Sequence, residues 1–227
     1  MTGVLRAAWL IARKDLVVEA RNRELAYTTA FFAVATVLVF AFALIKEGEI
    51  PADAPAGVLW VAVAFSGTLA LGRAFERERQ NETLRALLLS PAEHVAVYLG
   101  KLTALVALML GVEAILVPVV GLLLDAPIGR APGLLAALLV AGTVGFAGVG
   151  TLFAAMLVRA RSRDVLLPVV LYPVAVPVII AGVRGTAAIF GAEPDYGGAQ
   201  TWLGLLILFD AVFVTLACWT FGAVMSE

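Results

Sequence analysis

A chain of 227 residues that is 62% hydrophobic and only 15% charged, with a mean hydropathy of +1.01, is too apolar for a soluble domain. The net charge of −1 carries no topological information, because orientation follows where Lys and Arg fall. The single cysteine, Cys218, excludes an intrachain disulfide, and residues 1–25 carry charge throughout and do not read as a cleaved signal peptide.

The first element is an amphipathic helix over residues 1–24. In "VLRAAWLIARKDLVVEARNRE", Leu5, Trp9, Ala12 and Leu16 share one face, while Arg6, Arg13, Lys14 and Arg21 gather on another. Such a helix lies in the membrane interface; the plainer reading is a topogenic anchor. Six apolar stretches follow, each near the 20 or so residues that cross the hydrocarbon: Leu25–Ile45, Gly57–Gly72, Val95–Leu124, Gly133–Val158, Val165–Val183 and Trp202–Val224. The second is short, and its helix is expected to continue through Arg73. Thirteen of the sixteen Lys and Arg fall in the N-terminal segment, after span two (with Lys101) and after span four; Lys46, Arg130 and Arg184 fall in the other three loops. The positive-inside rule then puts both termini in the cytoplasm.

The loop over residues 73–94 contains "ERERQNETLRALLLSP". Asn81 suits an N-cap, Leu84, Leu87 and Leu88 recur at i, i+3 and i+4, and Pro91 stops the helix. The leucine face seeks cover from lipid or from a partner protein such as an ATPase. No G-x-x-x-x-G-K-[ST] occurs, so any ATP is bound by another chain. The one histidine, His94, reads as a solvated helix-start residue, no metal-binding spacing is present, and no nucleic-acid partner is expected.

Two acids sit inside spans, Glu113 in "LMLGVEAILVP" and Asp210 in "LLILFDAVFVT". A charge at the bilayer centre costs about 2.5–3.5 kcal/mol on insertion scales. Each acid is either functional or an interhelical hydrogen-bonding group, and Glu113 is expected close to span five. Pro118 frees carbonyls near Glu113. Gly142, Gly145, Gly148 and Gly150 in span four signal close helix approach. Pro168, Pro173 and Pro177 imply that span five bends or breaks. The loop over residues 184–201 is half apolar and could hold short re-entrant helices.

Three stretches taken together resemble the CcmB family: "GTVGFAGVGTLFAAMLVRARSRDVLLPVVLYPVAVPVII" (Gly142–Ile180), "ETLRALLLSP" (Glu82–Pro91) and "RKDLVVEARNRE" (Arg13–Glu24). The resemblance covers essentially the whole chain. It implies an all-α, type-2 ABC permease-like membrane domain over residues 1–227, a non-catalytic subunit of the cytochrome c maturation complex in the bacterial inner membrane. It also implies a CcmA-type ATPase that binds ATP, CcmC and CcmD-like membrane subunits, the haem carrier CcmE, and two copies of this chain per complex. By that resemblance Glu82, Leu84, Arg85, Leu87, Leu88 and Ser90 belong to a coupling helix. Arg161, Arg163 and Asp164 form the charged turn before span five. The complex handles haem, either by export or by releasing haem-loaded CcmE. Haem iron takes His, Cys, Met or Tyr as axial ligand; no span holds a histidine, and Met109, Met156, Cys218 and Tyr172 are isolated. No cofactor is assigned to this chain, and remodelling is favoured over passage of haem. The rival readings are a type-2 ABC exporter of a lipid, drug or polysaccharide, and a passive scaffold for haem-handling subunits.

Overall fold

A computed structural model describes residues 2–44, 51, 54–74, 94–158, 160 and 162–226. These residues form seven helices and no sheet: α1 (Thr2–Asn22), α2 (Glu24–Leu44), α3 (Ala54–Ala74), α4 (His94–Leu123), α5 (Pro132–Met156), α6 (Arg163–Phe190) and α7 (Tyr196–Ser226). The six from α2 onward are long and apolar enough to cross a membrane, since 20 helical residues rise about 30 Å. The chain is a multi-pass membrane protein.

Local signals account for several ends. Arg23 takes a left-handed φ of 55° between α1 and α2, the usual way to end a helix, though here without a glycine. The Glu19 carboxylate then accepts from the amide of Ala26 at 2.8 Å and caps the start of α2. Pro132 opens α5, where a proline's missing N–H leaves nothing unsatisfied.

Four of the sequence-derived spans match to within a few residues, and the sixth starts six residues earlier than expected, at Tyr196. The fifth differs. Pro168, Pro173 and Pro177 do not break α6, which is one helix from Arg163 to Phe190. Pro173 and Pro177 are exposed, turned away from the flank that packs through Leu171, Ala175 and Val178. Helix packing on that other flank holds the element together despite the lost amide donors. Because α6 runs on through Arg184 and α7 begins at Tyr196, the loop expected over residues 184–201 shrinks to residues 191–195.

At the centre of the bundle, α5 touches α3, α4, α6 and α7, and its glycines admit a neighbour from each direction. The Trp60 ring of α3 covers Gly142, Asp210 of α7 and Val178 of α6 cover Gly145, and Leu71 of α3 covers Gly150. A Cβ would fit at none of the three without displacing them. In contrast, α2 lies at the edge against α3 and α4, with Phe31, Val39 and Phe42 exposed.

The N-terminal helix differs from its expected amphipathic arrangement. It lies along α4, with Ala8 and Ala12 buried. Gly100 allows the approach: a Cβ there would come within 2.8 Å of the Ala8 carbonyl oxygen. The expected apolar face is therefore split. Ala12 packs on protein, while Leu5 and Trp9 face outward beside Leu10. Arg6, Arg13, Lys14 and Arg21 are exposed, as expected.

Candidate functional site

The basic residues cluster at one end of the bundle. There Lys101, 4% exposed, bonds Asp15 of α1 at 2.9 Å, and Arg73 meets Glu24 at 3.2 Å on the surface. Arg163, 2% exposed at the start of α6, reaches the end of α3. Its Nη2 donates to the Leu71 carbonyl at 3.4 Å and to the Gly72 carbonyl. These oxygens belong to the last turn of α3, whose carbonyls have no helical partner and carry the negative end of the helix dipole. A buried guanidinium is tolerated where it meets such acceptors. The neighbouring Asp164 is exposed.

Segment 75–93 leaves α3 and enters α4 at this end. The expected coupling residues Glu82, Leu84, Arg85, Leu87, Leu88 and Ser90 lie outside the described residues, as does Arg161. At the opposite end, Arg130 of the α4–α5 turn donates to the carbonyls of Phe190 and Gly191 and closes the end of α6 in the same way.

Inside the bundle, Glu113 is 3% exposed. Its Oε1 accepts a hydrogen bond from the hydroxyl of Thr143 on α5, and its Oε2 has no hydrogen-bond partner among the described residues. The expected neighbour was span five. However, α4 packs on α1, α2, α3, α5 and α7, and its contact with α6 is marginal at most; α5 lies between them. Asp210 is half-buried, with Oδ1 over Gly145 and without a hydrogen-bond partner among the described residues. Thr143 and Gly145, two positions apart, point to different sides of the helix, so the two acids flank α5 and do not form a pair. Pro118 is exposed on α4.

The four candidate haem ligands lie on four different helices, α4, α5, α6 and α7. Met109 packs into the core near Gly67, Met156 is exposed, the Tyr172 hydroxyl accepts from Thr68 at 3.4 Å, and Cys218 is half-buried on α7. No group of three or more His, Cys, Asp or Glu suited to a metal occurs among the described residues.

The chain matches the family described as "CcmB protein" over residues 6–226. The chain belongs to the CcmB family. It is similar to heme exporter protein B of Pseudomonas aeruginosa, 29% identical over 198 residues and 87% of each chain. It is also similar to the protein of the same name from Paracoccus denitrificans, 32% identical over 200 residues, covering 86% of this chain and 85% of the relative. A third, from Bradyrhizobium diazoefficiens, is 26% identical over 203 residues.

For this CcmB-family chain, sequence reasoning missed three residues that hold helices together. Trp60, 1% exposed, donates its indole N–H to the Thr186 hydroxyl at 2.9 Å. Tyr98 donates to the Gly148 carbonyl at 3.1 Å. Arg130 closes the end of α6. An indole or a phenol in an apolar span signals a buried partner, because such groups seldom stay unpaired, but the sequence does not say on which helix that partner lies.

Proposed function

We propose that the chain is the non-catalytic permease subunit of an ABC-type complex for cytochrome c maturation in the bacterial inner membrane, with both termini in the cytoplasm. In this reading a CcmA-type ATPase binds ATP and docks on segment 75–93 through Leu84, Leu87 and Leu88. CcmC and CcmD-like subunits complete the complex, and two copies of this chain take part. Nucleotide-driven movement of the segment rearranges the spans and releases haem-loaded CcmE; haem export through the spans is the second form of the same activity. The helix over residues 1–24 acts as the interfacial elbow of a type-2 ABC permease.

Family membership carries the reading, supported by relatives named heme exporter protein B. Two structural features agree with it. Basic residues gather at the end of the bundle from which segment 75–93 departs, and that segment joins two helices that are each anchored to a neighbour. That Met109, Met156, Tyr172 and Cys218 each stand on a different helix, with Met156 exposed, favours remodelling over a ligated haem path.

The test is c-type cytochrome formation in cells whose only copy of this protein carries Leu87→Asp, beside cells whose partner ATPase is inactivated. The leucine variant exposes an unpaired charge to an apolar docking surface. It is expected to insert, to lose copurification with the ATPase and to stop maturation. Normal maturation with an inactive ATPase would instead identify a passive scaffold. Intact cytochromes together with a defect in a lipid, drug or glycan would identify a different exporter.

A further inference from the structure

The helices α3 and α6 run antiparallel and are joined by polar contacts at both ends and between them. Trp60 meets Thr186 at 2.9 Å, Thr68 meets Tyr172 at 3.4 Å, and Leu71 and Gly72 meet Arg163. The partners ascend on one helix as they descend on the other. The Trp60 ring also sits in a gap at Gly182 of α6, so the contact is steric as well as polar.

We infer that Arg163 is a positioning residue for energy coupling, making α3 and α6 move as one body when the segment that follows α3 is displaced. The inference rests on the functional reading above. Its basis is where the guanidinium ends: on the last turn of α3, the turn that continues into residue 75. Any displacement of segment 75–93 reaches that turn first. Because Arg163 is the opening residue of α6, the same displacement passes to α6 within one side chain. Both carbonyls are met by one nitrogen, Nη2, of a delocalised and weakly hydrated cation, whereas a lysine would bring a compact, strongly hydrated charge into the same buried place.

The other end of the segment enters α4, which is bound to a different neighbour. Lys101 and Gly100 tie α4 to Asp15 and Ala8 of α1, and α4 meets α6 marginally at most. Segment 75–93 therefore joins α3, which Arg163 ties to α6, to α4, which Lys101 ties to α1 and which also packs on α3 itself.

Two variants of the intact complex test this, with the partner ATPase present. Arg163→Met is expected to give normal amounts of complex and continued ATP hydrolysis, while c-type cytochrome formation falls about tenfold, the size of an ordinary coupling loss. Arg163→Lys is expected to fall between Arg163→Met and wild type. A merely structural role would lower complex amount, hydrolysis and output together. The second variant is Thr68→Cys with Tyr172→Cys in a Cys218→Ser background, treated in cells with a short membrane-permeant bis-methanethiosulfonate. Bridged and unbridged samples of this variant are expected to match in hydrolysis and output, because the two helices do not separate. Adding the bridge to the Arg163→Met chain is expected to restore output.

Wild-type output per ATP in Arg163→Met overturns the inference. So does a bridge that stops maturation, because α3 and α6 then part during the cycle. If Arg163→Met does not assemble, the bridge comparison decides alone. A complex with an inactive ATPase runs alongside: if it still matures cytochromes, the functional reading fails, an outcome separate from any result at Arg163.

Discussion

Trp60 donates its indole N–H to Thr186 at 2.9 Å from a slot that has no room for a methyl group on either Gly142 or Gly182. One side chain of α3 thereby fixes its distance to α5 and to α6 at once. The contact is buried, with Thr186 fully enclosed, so each half of it matters to the other.

Trp60→Phe keeps an aromatic ring and removes the donor, while Thr186→Val keeps the shape and removes the acceptor. Each is expected to destabilise the detergent-solubilised protein by about 1–2 kcal/mol, and the double variant by less than the sum, because the second change removes a group already left unpaired. Thermal unfolding measures the cycle; strict additivity would mean that the bond contributes nothing. Gly182→Ala should lower stability by about 1–3 kcal/mol through overpacking against the ring.

At Glu113, hydrogen bonding and not charge is expected to be the need. Glu113→Gln retains an acceptor for Thr143 and is expected to support wild-type maturation. Glu113→Leu leaves the Thr143 hydroxyl to find another acceptor and is expected to reduce the amount of assembled complex. Adding Thr143→Val should recover part of the loss, since removing both partners is milder than removing one. A maturation defect in Glu113→Gln with normal assembly would show that the ionisable group itself is required.

Lys101→Met leaves Asp15 without this ion pair at the α1–α4 contact. Breaking a buried pair from one side typically costs about 3–5 kcal/mol; less is expected here, because Asp15 is part-exposed and keeps Lys14 at 3.1 Å. The readout is limited trypsin digestion of membrane vesicles open at the cytoplasmic face. Cleavage at Arg13 and Lys14 should accelerate, while the spans stay intact. Unchanged cleavage would mean that packing at Ala8 and Gly100 alone holds α1.

Sidedness can be read at Asp164 and Glu193, which are exposed at opposite ends of α6. In a Cys218→Ser background, cysteine at position 193 is expected to react with an impermeant thiol reagent from outside the cell, and cysteine at 164 only after the membrane is opened. Outside labelling of 164 would reverse the orientation.

The spans were legible because a membrane asks the sequence for one thing, a run of apolar residues long enough to cross. Their ends were less so. The prolines of α6 announced a bend or a break, and packing on the flank opposite Pro173 and Pro177 keeps the helix unbroken. The glycines of α5 announced close packing, but glycine is equally silent about every neighbour, and only the fold shows that Trp60, Asp210 and Leu71 fill the gaps. Glu113 was legible as buried, because charge in lipid is costly; its partner Thr143 was not, since a threonine in a helix can equally bond its own backbone. Arg163 read as part of a charged turn. That it closes the end of a helix ninety residues earlier in the chain is a long-range fact that no local pattern encodes.

The docking of α1 on α4 sets an order of events during synthesis. Residues 2–22 leave the ribosome well before α4, and the surface that receives Ala8, Ala12 and Asp15 includes Gly100 and Lys101, which arrive only after α2 and α3 have been made. At translation rates of about 5–20 residues per second, the N-terminal helix waits several seconds for its seat. During that interval its small buried face is uncovered, and Leu5, Trp9 and Leu10 are what can hold it at the lipid surface. A helix made before α2 is thus among the later ones to settle, and an unsettled α1 would mark a chain whose third span has not yet been threaded.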